Sequence, residues 1–317
     1  MTIVWLNLPM PDGFAEQIKA AAPHVTFVEE TTLADDALAD VDAAFVTTMI
    51  PDDVMARMPK LRWLHGTYGG SGTYLTAPVL ERGISVTTSR GTHALSFAEF
   101  TVGAIFSMAK HIPRVTIAQT EHRWDDKLPD TVQVNGSTIG IAGFGAIGSE
   151  LARLASAVGM RVIATRQTLG DKPDYVDWIK TPGAFAELLA EADFVVLALP
   201  GSEATTGMIN EQTLKMMKPT AVLINLTART AVPDEEIVAR ALREGWIGGA
   251  VFNVFTSGER GAISADSPLW DAPNLVVSPR IAALDPHRWD RLRDLFADNL
   301  RRDLCLFLDR RWLLCTR

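Results

Sequence analysis

The stretch Val134–Gln167, VNGSTIGIAGFGAIGSELARLASAVGMRVIATRQ, decides the fold. An apolar run is followed by the pattern G-x-G-x-x-G at Gly143, Gly145 and Gly148, then by an amphipathic helical segment and a second apolar run. In this context the glycine pattern typically binds a dinucleotide, because the turn lets the backbone approach the pyrophosphate and the helix N-terminus attracts it. We therefore predict a strand–turn–helix–strand unit that binds a dinucleotide. The alternative is a tight turn without a ligand.

The end of the second strand indicates which dinucleotide binds. Sites for NAD place an acidic residue about 20 residues after the glycines, where it accepts a hydrogen bond from the ribose 2′-hydroxyl. Arg166 takes that place here, followed by Gln167 and Thr168. A guanidinium cannot accept that bond, but it matches a 2′-phosphate in charge and geometry. We predict NADP as the cofactor, with NADPH preferred over NADH; the alternative is a surface arginine without a role.

Apolar runs alternate with helical segments along the rest of the chain, which is typical of parallel sheets covered by helices. A long helical segment runs from His93 to about Lys110 and is interrupted at Pro113, and an amphipathic segment begins at Asp285. We predict an α/β protein with two Rossmann-like, doubly wound parallel-sheet domains and a cleft between them. Residues 1–96 and 284–317 form a discontinuous, flavodoxin-like substrate-binding domain, and residues 97–283 form the dinucleotide-binding Rossmann domain. The predicted strands are TIVWL, AAFVT, LRWLH and ISVTT in the first domain and TIGIAGFG, RVIAT, FVVLALP, AVLINLT, GGAVFNVF and NLVVSP in the second.

Composition and charge exclude several classes of protein. The chain has 317 residues, of which 47% are hydrophobic, and a formal net charge of -8 without a block of lysine and arginine, so a nucleic-acid partner is not expected. No apolar stretch reaches the roughly 18 residues that span a bilayer, and the N-terminus lacks the basic region of a signal peptide. Cys305 and Cys315 have no metal-like spacing. We expect a cytoplasmic protein without a metal site or a membrane partner.

Polar residues follow several predicted strands, at the edge where doubly wound sheets bind ligands. Arg229 and Arg280 each follow an apolar run. Since a carboxylate matches the fork of a guanidinium, this pair favours a small anionic substrate; the alternative for Arg280 is a structural ion pair. The glycine-dense loop HGTYGGSGTY could bind a carboxylate through the amides of Gly69, Gly70 and Ser71, or be an ordinary flexible loop.

Longer motifs carry a resemblance to a known family. They include LRWLHGTYGG, RGTHALSFAEF, TIGIAGFGAIG, ADFVVLALPGSEATTGMIN, LKMMKPTAVLINLTARTAVPDEEIVARALREGWIGGAVFNVF and ADSPLWDAPNLVVSPRIAA. In this order and spacing, across essentially the whole chain, the sequence resembles the D-isomer-specific 2-hydroxyacid dehydrogenase family, which includes glyoxylate/hydroxypyruvate reductases. The resemblance implies two Rossmann-like domains, a homodimer, and reversible hydride transfer between a 2-keto acid and its D-2-hydroxy acid. It also implies that Arg229 grips the substrate carboxylate and carbonyl.

The sequence departs from the family pattern at three positions. The family usually has TPHIAG where this chain has SPRIAA, so Arg280 replaces the general acid–base histidine. Asn253 replaces an aspartate that faces the nicotinamide. The glutamate that pairs with the histidine has Glu259 as its nearest counterpart, in a segment a few residues longer than usual.

Replacement of the histidine changes the expected proton transfer. A guanidinium almost never releases its proton, so Arg280 is expected to stabilise the developing oxyanion as a fixed charge. Water, Tyr68, His65 or His287 would then supply the proton. The sequence leaves the substrate, the direction of the reaction and the proton donor open.

These observations predict an NADP-dependent oxidoreductase that acts on a CH–OH group and transfers hydride between NADPH and a 2-keto acid, its 2-hydroxy acid or a related carbonyl compound. One alternative is a non-catalytic NADP(H)-binding sensor similar to a corepressor. Another is a reductase for an alcohol or aldehyde without a 2-carboxylate.

The predicted site residues fall into three groups. The catalytic residues are Arg229, Arg280 and Glu259. The cofactor-binding residues are Gly143, Gly145, Ala146, Ile147, Thr165, Arg166, Gln167, Thr168, Leu199, Pro200, Thr205, Thr227, Ala228, Arg229 and Asn253. The substrate-binding residues are Tyr68, Gly69, Gly70, Ser71 and Arg229.

Overall fold

The computed structural model describes residues 2–29, 35–227, 229–258 and 262–307, except for the side chains at 35–37, 229 and 303–307. In chain order its strands and α-helices are β1 (Thr2–Asn7), α1 (Phe14–Ala21), β2 (Val25–Glu29), β3 (Ala43–Val46), α2 (Asp52–Ala56), β4 (Trp63–Gly66), α3 (Ala77–Glu81), β5 (Ser85–Thr88), α4 (Ala94–Ala109), α5 (Ile112–Thr120), β6 (Thr138–Ala142), α6 (Ala146–Ala157), β7 (Arg161–Thr165), β8 (Trp178–Lys180), α7 (Phe185–Glu191), β9 (Phe194–Leu197), α8 (Glu211–Leu214), β10 (Val222–Asn225), α9 (Glu235–Arg243), β11 (Gly249–Phe252), β12 (Leu275–Val277) and α10 (Arg288–Phe307).

The described chain forms two compact units. One contains the residues up to Thr92 and those from Asp285 onward, and the other is His93–Leu284. Each unit holds one parallel sheet with helices on both faces, so the predicted class of two doubly wound α/β domains is confirmed.

The first unit has a five-stranded sheet in the order β2-β1-β3-β4-β5. The side chains of successive strand residues point to opposite faces of the sheet, and a hydrophobic core lies on each face. On one face, Phe45 of β3 stacks on Phe296 of α10 with ring centroids 4.3 Å apart. On the other face, Trp5 of β1 packs with Met55 of α2 and with Leu64 of β4. Helix α10 therefore completes the first unit from the far end of the chain.

His65 lies in β4 and is completely buried. Its ring packs against Phe45 and Phe296, with centroids 5.0 and 5.3 Å away. Nδ1 lies 2.7 Å from the Thr87 hydroxyl, and Nε2 lies 3.0 Å from the Ser89 hydroxyl. Burial lowers the pKa of His65 from 6.5 to about 3. The imidazole is neutral and both its nitrogens have partners, which removes His65 from the candidate proton donors.

The second unit has a seven-stranded sheet in the order β12-β11-β10-β9-β6-β7-β8. From β6 the chain builds outward through β7 and β8, then crosses to the other side of β6 and continues from β9 to β12. The order of the strands reverses between β6 and β9, and ligands of such sheets bind beyond the carboxyl ends of the strands at this switch point. The glycine turn predicted to bind a dinucleotide follows β6, at that edge.

Helices α4 and α5 match the predicted interrupted helix. His111 adopts a left-handed backbone conformation, with φ at 54°, and separates the two helices. Pro113 lies in the first turn of α5, where its missing N–H costs no hydrogen bond. Among the described residues, no helix is both long and apolar enough to cross a bilayer.

Two strands were not predicted, β2 and β8. Both are edge strands of their sheets. An edge strand pairs on one side only, and most residues of these two strands are only partly buried. Their sequences therefore lack the continuous apolar run that marks a central strand.

The burial of His65 predicts a pH dependence of stability. In the unfolded chain a histidine takes up a proton as the pH falls through about 6.5, whereas the folded protein resists this until about pH 3. The unfolded state thus binds more protons in this window, and stability is lost as the pH falls. Between pH 7 and pH 5 this group should reduce the free energy of unfolding by about 2 kcal/mol.

Urea titrations of the wild type and of His65→Gln at both pH values measure this contribution. The variant should lose about 2 kcal/mol less than the wild type over this pH range. His287→Gln is the control, since it leaves the buried histidine in place and should keep the wild-type dependence. Equal losses in the wild type and His65→Gln would contradict the assignment.

Candidate active site

The glycine turn after β6 brings two strands and a helix unusually close together. A Cβ on Gly143 would lie 2.4 Å from the carbonyl oxygen of Ala198, and φ at this residue is 102°. A Cβ on Gly148 would lie 2.0 Å from the carbonyl oxygen of Gly143. Both positions therefore require glycine. No side chain caps the N-terminus of α6 at Gly145, so the first-turn amides, including those of Ala146 and Ile147, are not occupied by a capping side chain.

The end of β7 carries the predicted phosphate-binding arginine. Thr165 is 4% exposed, and the amide of Arg166 donates to the carbonyl of Lys180 at 2.9 Å. The guanidinium folds against Gly170, where a Cβ would lie 2.4 Å from Nη2. The Nε of Arg166 is buried and has no hydrogen-bond partner among the described residues. The side chains of Gln167 and Thr168 are exposed next to it.

The loop after β9 is held by hydroxyl groups. The Thr205 hydroxyl donates to the carbonyl of Pro200 at 2.9 Å and accepts from the amide of Ser202 at 3.0 Å. The hydroxyl of Thr227, which follows β10, donates to the carbonyl of Leu199 at 2.9 Å. The structure thus brings Leu199, Pro200, Thr205 and Thr227 together at the ends of two neighbouring strands.

Asn253 joins the ends of three strands. It follows β11 and is 2% exposed. Its Oδ1 accepts from the hydroxyl of Ser278 at 3.0 Å and from the amide of Ala282 at 3.3 Å. Its Nδ2 donates to the carbonyl of Leu226 at 3.2 Å. An aspartate could not make this last bond, because a carboxylate has no N–H to donate. The amide side chain therefore has a structural role here, and its contact with a cofactor stays a prediction.

The two predicted catalytic arginines follow strands that flank β11. Arg229 begins a short 3₁₀ turn after β10, Arg229–Ala231. Arg280 follows β12 in a left-handed backbone conformation with φ at 62°, is exposed, and precedes the 3₁₀ turn Ile281–Ala283. Since β10, β11 and β12 are parallel neighbours, both arginines lie at the same edge of the sheet. Ala228, Glu259, Cys315 and the side chains of Arg229 and Cys305 lie outside the described residues.

Glu235 is a buried acid that the sequence analysis missed. It begins α9 and is 6% exposed. Its Oε1 accepts from the amides of Thr256 and Ser257, each at 3.0 Å, and its Oε2 accepts from the Ser267 hydroxyl at 2.5 Å. One carboxylate thus holds both ends of the segment that contains Glu259. In the sequence this acid is part of DEE at a helix start, where acids commonly complement the helix dipole, so the pattern does not distinguish it.

The predicted carboxylate loop of the first unit follows β4. Tyr68 is 46% exposed, and Gly69, Gly70 and Ser71 are also exposed. The amide groups of these last three residues donate to no acceptor among the described residues. Consecutive amides without an internal acceptor are available to an anion, so the predicted carboxylate contact stays a prediction that the loop permits. The hydroxyl of Thr88 donates to the carbonyl of Gly69 at 3.2 Å, which fixes one side of the loop.

Comparison with known proteins gives consistent results. The family model described as D-isomer specific 2-hydroxyacid dehydrogenase, NAD binding domain, matches residues 102–282. A glyoxylate reductase of Korarchaeum cryptofilum is 32% identical over 82% of this chain and 79% of its own length. An (S)-sulfolactate dehydrogenase of Chromohalobacter salexigens is 32% identical over 88% of this chain and 91% of its own.

Solved structures agree with the sequence relatives. A D-isomer specific 2-hydroxyacid dehydrogenase family protein from Aeromonas salmonicida superposes with a TM-score of 0.82 at 26% identity, covering 98% of this chain and 97% of the other. The fold, the glycine turn and the extent of the matches point to one family. This chain belongs to the D-isomer-specific 2-hydroxyacid dehydrogenase family.

Proposed function

We propose that this chain is an NADPH-dependent reductase that converts a small 2-keto acid into its 2-hydroxy acid. The observation that carries the proposal is the pair of features at the switch point of the second unit, an uncapped helix N-terminus after β6 and an arginine instead of an acid after β7. Relatives at 32% identity include a glyoxylate reductase and a sulfolactate dehydrogenase, which act on small anionic substrates.

The residues of the second unit fit a phosphorylated dinucleotide. The first-turn amides of α6 would bind the pyrophosphate, with favourable help from the helix dipole. Arg166 has a buried Nε without a partner among the described residues and a guanidinium beside two exposed donors, Gln167 and Thr168. A 2′-phosphate would satisfy these groups, whereas a ribose hydroxyl offers no charge to them. When bound, the nicotinamide supplies the hydride that reduces the carbonyl carbon.

The substrate would be held through its negative charge. In the first unit we assign carboxylate binding to the amides of Gly69, Gly70 and Ser71. In the second unit we assign substrate binding to Arg229, as the family resemblance implies. Arg90 is exposed, has no acidic partner among the described residues, and its Cα lies 3.5 Å from where a Cβ on Gly69 would be. An arginine whose backbone lies beside the loop adds positive charge to its surroundings, which favours an anion there.

Arg280 stands where the family has its proton-donating histidine, but in our proposal it stabilises charge and does not donate a proton. As the carbonyl carbon is reduced, its oxygen gains negative charge, and a guanidinium at the strand end stabilises that charge without releasing a proton. Water would then deliver the proton that completes the hydroxyl group. His287 stays the alternative donor; its side chain is 76% exposed, and its Nδ1 lies 3.8 Å from Oδ2 of Asp290.

We also propose that the chain is a homodimer formed through the second unit. Large apolar side chains are exposed on α4, α5 and the segment after them, including Phe106, Ile112, Ile117 and Trp124, the last at 91%. Large exposed apolar side chains that lie this close together in the chain are favourable for association, because burying them in an interface removes apolar surface from water. Light scattering of the purified chain should give twice the mass of one chain, and a value for a single chain would contradict the dimer.

The cofactor preference depends on Arg166. Arg166→Gln should raise the KM for NADPH by about 10–100-fold, because a charge-assisted bond to phosphate contributes about 1.5–3 kcal/mol, and should leave the KM for NADH nearly unchanged. Steady-state kinetics with glyoxylate measure both values. Arg153→Gln is the control, since Arg153 is an exposed arginine that pairs with Glu150 on α6. A wild type that prefers NADH would overturn this assignment, and NADPH binding without turnover on any keto acid would favour the sensor.

Substitutions of Arg229 and Arg280 should affect different kinetic constants. Arg229→Ala should raise the KM for a keto acid by at least about tenfold through loss of a bidentate carboxylate contact. Arg280→Ala should instead lower kcat by about 10²-fold, the typical cost of removing one oxyanion-stabilising group. Assays with glyoxylate, 3-sulfopyruvate and an aldehyde without a carboxylate measure this division. Full activity of Arg229→Ala on all three would show that the substrate has no 2-carboxylate contact here.

A further inference from the structure

We infer that Tyr74 is a positioning residue for the carboxylate-binding loop. Its hydroxyl accepts a hydrogen bond from the amide of Tyr68, the residue directly before the three free amides. This inference rests on the proposed function, in which Gly69, Gly70 and Ser71 hold the substrate carboxylate. The chain has three tyrosines. Tyr74 is completely buried, whereas Tyr68 and Tyr175 are 46% and 41% exposed.

The Tyr74 hydroxyl bridges the loop and the sheet. It accepts from the amide of Tyr68 at 3.2 Å and donates to the carbonyl of Thr47 at 3.2 Å. Thr47 directly follows β3, and Tyr68 lies at the start of the loop after β4. Burial raises the pKa of the Tyr74 phenol above its usual value, so the hydroxyl keeps the proton that it donates to Thr47. The amide of Tyr68 is therefore engaged inside the protein and not available to an anion.

The position of the Tyr74 ring is fixed by packing. A Cβ on Gly66, the last residue of β4, would lie 2.1 Å from Cε2 of Tyr74. The ring thus lies directly against the strand backbone and is part of the core that contains Met55 and Leu64. Only glycine at position 66 leaves room for it. Close packing therefore positions the ring, with its hydroxyl within hydrogen-bond distance of both Tyr68 and Thr47.

Three carbonyl groups of the loop accept hydrogen bonds from within the protein. The carbonyl of Tyr68 accepts from the amide of Ser89 at 3.2 Å, and that of Gly69 accepts from the Thr88 hydroxyl. The carbonyl of Ser71 accepts from the amides of Tyr74 and Leu75 at 2.9 and 3.2 Å. Carbonyl oxygens repel an anion, so their engagement leaves the three amides as the groups that meet the substrate. Tyr74 holds the first residue of the loop, Tyr68, through the bond from its amide.

The variant Tyr74→Phe tests the inference, because it keeps the ring in the core and removes only the bridging hydroxyl. We expect the KM for glyoxylate with NADPH to rise about tenfold while kcat stays within about twofold, since a loosened loop loses ground-state binding of the carboxylate. The dissociation constant of oxalate, measured by calorimetry with and without NADPH, should rise by a similar factor. Hydrogen exchange at Tyr68 should become faster. Tyr175→Phe, which removes an exposed hydroxyl, should match the wild type in every measurement.

The outcomes separate this inference from the proposed function. If the wild type reduces keto acids and Tyr74→Phe has an unchanged KM and oxalate affinity, the inference is wrong and the function stands. A loss of kcat without a change in KM would equally contradict a positioning role on this loop. If the wild type reduces no keto acid yet Tyr74→Phe weakens oxalate binding, the function is wrong and the inference stands. If the wild type does not bind oxalate, the loop is not a carboxylate site and the inference fails.

Discussion

The close approach of α6 to β6 is the constraint on which the second unit depends. A Cβ on Gly148 would lie 2.0 Å from the carbonyl of Gly143, and one on Gly143 would lie 2.4 Å from the carbonyl of Ala198. The helix can begin directly above its own strand, and the strand can lie close to β9, only because neither residue has a side chain. Gly145 at the N-cap has no side chain either, so the first amides of α6 stay uncapped at the point where the strand order reverses. The close packing and the uncapped helix N-terminus thus both depend on the glycines of one turn.

Polar side chains at the ends of β9 to β12 bond mainly to backbone groups at the ends of neighbouring strands. Thr227 bonds to Leu199, and Asn253 bonds to Leu226 and Ser278. These bonds connect the ends of neighbouring strands, and contacts that preorganise a site in this way lower the cost of binding. A neutral amide at position 253 serves this network better than a carboxylate would. In the proposed function the positive charges at this edge, Arg229 and Arg280, then interact with the substrate.

The first unit uses a similar principle with different groups. The loop after β4, for which we propose carboxylate binding, is held by the Tyr74 hydroxyl and by bonds from Thr88 and Ser89. The carbonyls of Tyr68 and Gly69 are therefore engaged, while the amides of Gly69, Gly70 and Ser71 donate to no acceptor among the described residues. His65 directly precedes Gly66 in β4. It contributes to the core and not to the chemistry, because burial keeps it neutral. His65 is thus a structural residue, with both ring nitrogens next to hydroxyl groups of the same unit.

The sequence by itself determined the class of fold, the glycine turn, the arginine at the end of β7 and the family. Each of these depends on residues close together in the chain, where periodicity and spacing carry the information. The sequence did not reveal the edge strands β2 and β8, whose weaker burial leaves little apolar pattern. Only the tertiary structure decided the roles of Tyr74, Glu235, Asn253 and His65. Their partners come from other strands and loops, and the order of strands in a sheet brings them together without leaving a local signal in the sequence.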